Sequence, residues 1–160
     1  MKKMKKQFLY SILFFAIAIG NVYGQKKSID LNWQTDMAEA KKLASAQGKL
    51  ILIYFTGSDW SKSSKMLNKD FFYTEKFQKI AAKNFILVRV NSPRRPDLIS
   101  NLQKDKNLEL KKKYDQKVIP TIVLTDAKGN SLAMLERYNY LHDTSKHYKL
   151  IKDVLKKKGD

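Results

Sequence analysis

The sequence predicts one layered α/β domain with a mixed central sheet flanked by helices, on three observations. Apolar, partly β-branched runs stand at Leu50–Phe55, Phe85–Val90 and Thr121–Leu124, the last directly after Pro120. Short apolar runs bounded by turn residues read as buried strands. The segments between them carry apolar residues three and four positions apart, the spacing of a helix that buries one face. Finally, Asp126–Asn130 (DAKGN) is a hairpin turn with a glycine where positive φ is wanted. The predicted order is β-α-β-α-β-α-β-β-α, and the closing hairpin makes the sheet mixed. No internal repeat or second domain is visible.

The chain begins with a targeting segment. Met1–Lys6 carries four lysines, and Phe8–Gly20 is an apolar stretch too short for a comfortable transmembrane helix. Val22-Tyr23-Gly24 has the shape of a cleavage site, so residues 1–24 are expected to be a signal peptide and residues 25–160 the mature domain. No cysteine follows the cut, which excludes a lipoprotein anchor. The expected location is therefore the periplasm or the outside of the cell.

The elements follow in order. Gln25–Leu31 is a polar lead-in with room for an edge strand. Asp36 is placed to cap a helix, with Glu39 three residues on. Met37, Ala40, Leu43 and Ala44 share one face of that helix, and Gly48 stops it. After the Leu50–Phe55 strand, Thr56-Gly57-Ser58-Asp59 supplies turn chemistry. Trp60 follows, and a helix starts near Ser61 and runs through Met66 and Leu67. Phe71-Phe72-Tyr73 is expected as a packed bend. Thr74 caps the next helix, with Phe77, Ile80 and Ala81 inward. Beyond the Phe85–Val90 strand, Pro93 and Pro96 hold Asn91–Pro96 as a loop. A further helix ends at Leu110 and Tyr114. Ser131–Tyr138 pairs back as an antiparallel strand. The last helix, about Thr144–Lys157, buries Tyr148, Ile151, Val154 and Leu155, and its lysine-rich end suits the negative pole of the helix dipole.

Composition limits the chemistry. Of 160 residues 43% are hydrophobic, enough for a real core. There is no cysteine, which removes disulfides, thiolate metal sites and cysteine nucleophiles together. With His142 and His147 as its only histidines, the chain is expected to hold no histidine-rich metal site, and no metal or cofactor is expected. Net charge is +17, and +13 once the four leader lysines are gone. That balance favours anionic surfaces, an envelope polymer among them, but the lysines are spread over several helices and read first as a solvated surface. Nucleic acid is not expected, because no aromatic-interleaved basic motif is present. A monomer is expected.

The most specific stretch is Phe55-Thr56-Gly57-Ser58-Asp59-Trp60, then Ser61, Ser64 and Lys65, with Ile119-Pro120-Thr121 further on. It resembles the active-site stretch of the thioredoxin superfamily, Trp-Cys-x-x-Cys-Lys, with serine at both cysteine positions. More specifically, it resembles secreted thioredoxin-like proteins of Gram-negative bacteria, many from Bacteroidetes. The resemblance covers about Trp33–Lys157 and implies a thioredoxin-like fold. It implies that Pro120 is cis and stands beside the Ser61 loop, and that the backbone before it pairs with a bound peptide as an added strand. Taken alone, Pro120 reads as an ordinary strand-start proline.

In such a family the first cysteine attacks as a thiolate and the second resolves the mixed disulfide. A serine hydroxyl has no accessible anion near neutral pH, so Ser61 and Ser64 leave no expected redox activity. Serine catalysis at Ser61 needs a base within reach, and both histidines belong to the last helix region. Capping is the expected role of the two serines, and a turn role that of Asp59. The expected function is a non-catalytic module that binds an extended peptide or protein partner through Trp60, Ser61, Ile119 and Pro120. The alternative is a thiol–disulfide oxidoreductase, of reductase or isomerase type, inactivated by Cys-to-Ser replacement at Ser61 and Ser64, whether by natural loss or by design.

Overall fold

The computed structural model describes residues 31–159. The expected signal peptide and most of the Gln25–Leu31 lead-in lie outside them. The described elements are α1 (Met37–Gln47), β1 (Leu50–Thr56), α2 (Lys62–Leu67), a π-helical turn (Asn68–Phe72), α3 (Glu75–Asn84) and β2 (Phe85–Asn91), followed by a 3₁₀ turn (Pro96–Leu98), α4 (Asn101–Lys113), β3 (Thr121–Thr125), β4 (Ser131–Glu136) and α5 (Ser145–Gly159).

The four strands stand in the order β2-β1-β3-β4. β1 runs parallel to β2 and antiparallel to β3, and β3 runs antiparallel to β4. The sheet is thus mixed, but the reversal already occurs between β1 and β3, one strand before the hairpin that was expected to supply it. An isolated parallel bridge joins Gln34 to Val88 on the free side of β2, three residues beyond the lead-in expected there.

Alternate strand residues feed two cores, one on each face of the sheet. Leu50, Leu52, Tyr54, Leu87, Ile122 and Leu124 pack with Leu67, Phe71, Phe72, Phe77, Ile151 and Val154. Ile51, Ile53, Phe55, Val88, Val90 and Val123 pack with Ala40, Ala44, Leu110 and Tyr114. So α1 and α4 cover one face, and α2, α3 and α5 the other. Each such large apolar side chain contributes about 1.5–3 kcal/mol on burial. β1 is buried along its whole length because both faces are covered.

The helix signals hold locally. The Asp36 carboxylate accepts from the N–H groups of Ala38 (2.7 Å) and Glu39 (3.1 Å). Lys106 donates to the other oxygen at 2.6 Å, and that bond, with the cap bonds, brings the carboxyl down to about 2. Glu39 does not reach back to complete a capping box; its carboxylate faces Lys42 at 3.8 Å. Gly48 closes α1 at φ 62, and Thr74 caps α3 through Phe77 N–H. The expected bend at Phe71–Tyr73 is the end of a π-helical turn, which buries Phe71 and Phe72 side by side. At the expected DAKGN turn, Asp126 accepts from the N–H groups of Lys128 and Asn130.

Candidate functional site

The register brings three chain segments to one end of the sheet. Thr56 ends β1 opposite Asn91, the last residue of β2, and Phe55 faces Thr121, the first residue of β3. Gly57–Ser61, Ser92–Pro96 and Ile119–Pro120 therefore all leave from the same edge.

Ser61 is the cap of α2. Its Oγ accepts from Ser64 N–H at 3.1 Å, and its side chain is buried. The Ser61 N–H donates to the Gly57 carbonyl at 2.9 Å, closing the turn. Ser64 lies one helical turn on, with no exposure. Its hydroxyl has no hydrogen-bond partner among the described residues. Its carbonyl accepts from the Tyr54 hydroxyl at 3.2 Å, and burial is the first cause that pushes that phenol up to about 12.

Trp60 lies across Gly57. A Cβ at Gly57 would stand 2.5 Å from indole Cε2, so only glycine fits beneath the ring. The indole N–H donates to the Ser92 carbonyl at 2.9 Å, and the Arg94 guanidinium lies over the ring, 4.6 Å from its centroid. The indole is still 37% exposed. It both packs on its loop and offers a surface, two roles the sequence left equal.

Asp59 is a turn anchor. Its carboxylate accepts from the N–H groups of Arg94 (3.0 Å) and Arg95 (3.0 Å). Desolvation alone would raise its pKa, but these bonds and the Arg95 charge hold it below the usual carboxylate range. Asn91 adds a second clamp, accepting from Ser58 N–H at 3.0 Å and donating to Ser58 Oγ at 2.8 Å. Asn107, buried in α4, donates to the Asn91 carbonyl at 2.7 Å and accepts from Gln103 at 2.8 Å. The Ser92–Pro96 segment is thus a pinned wall of the site.

The Ile119–Pro120 peptide bond is cis. The Val118 carbonyl accepts from the Thr121 hydroxyl at 2.7 Å and also from the Gln116 amide. The Pro120 carbonyl accepts from Arg137 N–H at 2.8 Å. Between them, neither the N–H nor the carbonyl of Ile119 has a partner among the described residues. Ile119 is half-buried and Pro120 buried.

Among the described residues the Ser61 hydroxyl is hydrogen-bonded to Ser64 N–H and to no histidine, lysine or carboxylate. His147 is buried against Phe71 and Tyr138, and His142 Nδ1 sits 2.6 Å from Asp70. Sequence reasoning named Trp60, Ser61, Ile119 and Pro120, but missed Asn91, Ser92, Arg94 and Asn107. Nothing in a polar loop between prolines distinguishes a clamp from a tether.

A family model described as thioredoxin-like matches residues 32–127. The disulfide bond reductase DsbH of Chlamydia pneumoniae is 30% identical over 106 residues, which make up 66% of this chain and 63% of that protein. The match thus spans less than two thirds of that relative. A solved DsbH oxidoreductase superposes with a TM-score of 0.67 at 28% identity, covering 78% of this chain and 87% of that one. A thioredoxin from Thermus thermophilus superposes with a TM-score of 0.53 at 18% identity, over 74% and 82% of the two chains; it shows the fold alone.

Proposed function

Because this chain belongs to the thioredoxin-like family, we propose that it is a peptide- or protein-binding domain built on an oxidoreductase frame, working without thiol chemistry. It is a homologue of DsbH-type oxidoreductases that contains no cysteine. The observation that carries the reading is Ile119, whose N–H and carbonyl both lack a partner among the described residues, at the sheet end where Trp60 is exposed. A free N–H and carbonyl on one residue can pair with the backbone of an added strand, and a part-exposed tryptophan is a common anchor for binding energy. A leader over residues 1–24 would deliver the domain to the periplasm or beyond.

The test is a pulldown of a peptide library on residues 25–160, compared with a Trp60→Ala, Ile119→Asp double variant. Selective binding by the native domain, lost in the variant, supports the reading. Binding that persists unchanged in the folded variant removes it.

A second reading rests on Ser64. A hydroxyl buried without a partner is costly, whereas a thiol, a weaker hydrogen-bonding group, suits such a seat. On that reading the chain is a disulfide reductase or isomerase inactivated at Ser61 and Ser64. A folded Ser61→Cys, Ser64→Cys variant would then reduce insulin disulfides, and a folded but inert one counts against it.

A further inference from the structure

We propose that the site selects acidic extended peptides and that Arg94 is the residue that reads their carboxylates. This inference rests on the peptide-binding reading above. The backbone N–H of Arg94 is held on the Asp59 carboxylate, and its guanidinium lies over Trp60. The ring contact takes no N–H donor in a conventional hydrogen bond, so the guanidinium keeps its donors, and a carboxylate takes two of them together. The contact with Trp60 also restrains the side chain in advance, which lowers the entropy lost on binding.

The acids nearby are already engaged. Asp97 takes the Arg95 guanidinium at 2.6 Å, and Asp59 spends both oxygens on backbone N–H groups. Among the described residues no carboxylate pairs with the side chains of Arg94, Lys62 or Lys65. Lys65 Nζ instead donates to the Asp59 carbonyl at 3.0 Å, and Lys62 is exposed beside Ser61. The rim around Trp60 is therefore cationic with no internal counter-charge for these three side chains. Ile119 supplies the other half of the specificity. Its free N–H and carbonyl suit an extended backbone, which a phosphate polymer does not have. An acidic peptide satisfies both features; an anionic polymer satisfies only the charge.

The experiment titrates two pools of short, end-blocked, fluorescent peptides, one carrying Glu and Asp and the other the matched Gln and Asn. The proteins are the native domain, Arg94→Glu, Arg94→Lys, and a Lys156→Glu, Lys157→Glu control. The control lysines neighbour Lys158, which donates to the Gly48 carbonyl, at the start of β1 and so at the opposite end of the sheet. The acidic pool should bind roughly tenfold more tightly than the neutral one. Arg94→Glu should abolish that preference, Arg94→Lys should retain part of it, and the control should leave it standing. The preference should also shrink as salt rises from about 0.02 to about 0.3 M. Equal binding of both pools, unaffected by Arg94→Glu, would overturn the acidic selectivity and leave peptide binding intact. A fall in the control as large as in Arg94→Glu would show diffuse charge and overturn the role of Arg94. Binding of neither pool would overturn both readings.

Discussion

The Tyr54 hydroxyl donates to the Ser64 carbonyl, while the Ser64 hydroxyl, fully buried, has no partner among the described residues. Tyr54 comes from the middle of the sheet and Ser64 from the helix behind the site loop, so the bond ties α2 to β1. The helix is held by its backbone and not by the side chain that gives position 64 its identity.

Ser64→Ala should therefore stabilise the domain. A buried unpaired polar group costs about 1–3 kcal/mol, and the small void left by the oxygen offsets part of the gain, for a net of about 1 kcal/mol. Urea unfolding monitored by circular dichroism measures it. A loss of stability would mean that the hydroxyl is bonded in solution.

Ser61→Ala should act in the opposite sense. Removing the cap oxygen frees the Ser64 N–H and should cost about 0.5–2 kcal/mol. Ser61→Asp, which keeps a cap acceptor, should recover most of it. If both substitutions are silent in the same unfolding assay, Ser61 is not a cap.

Gly57→Ala meets the indole of Trp60 directly, with 2.5 Å to Cε2. Trp60 must leave its seat, breaking its bond to Ser92 and its stack with Arg94. Tryptophan emission should shift to longer wavelength, with Trp33→Phe as the background that isolates Trp60. Unchanged emission in that background would show that the loop absorbs the methyl group.

His147 gives the domain an acid-side pH dependence. Burial lowers its pKa from 6.5 to about 4. The fold holds the neutral ring and the unfolded chain takes up the proton more readily. The contribution is complete above pH 6.5 and falls away as the pH drops from there to about 4. At most it is worth on the order of 3 kcal/mol. His147→Leu should flatten this part of the stability profile; an unchanged slope would assign it to the carboxylates.

Much of this was legible locally. The caps at Asp36 and Thr74, the stop at Gly48 and the turn at Asp126–Asn130 each depend on residues a few positions apart. The site stretch was legible because Gly57, Trp60, Ser61 and Ser64 lie within one loop and one helical turn. Three features were not. The Asn107–Asn91–Ser58 chain joins three elements. The Tyr138 hydroxyl and His142 both meet Asp70, from about seventy residues away in the chain. His147 shows no more apolar context in sequence than its neighbours, yet it is enclosed by Phe71 and Tyr138.

The sequence by itself determined the element types, the glycine and proline positions, and the absence of thiol chemistry. Those follow from backbone preference and side-chain chemistry, which act over a few residues. The tertiary structure alone decided that β3 reverses against β1, that Asp59 and Asn91 pin the Arg94 loop, and that Ile119, at the same end of the sheet, is left without a backbone partner among the described residues. Those depend on which strand edges meet and which polar groups are satisfied there. Hydrogen-bond partners chosen across the sheet end carry no period along the chain.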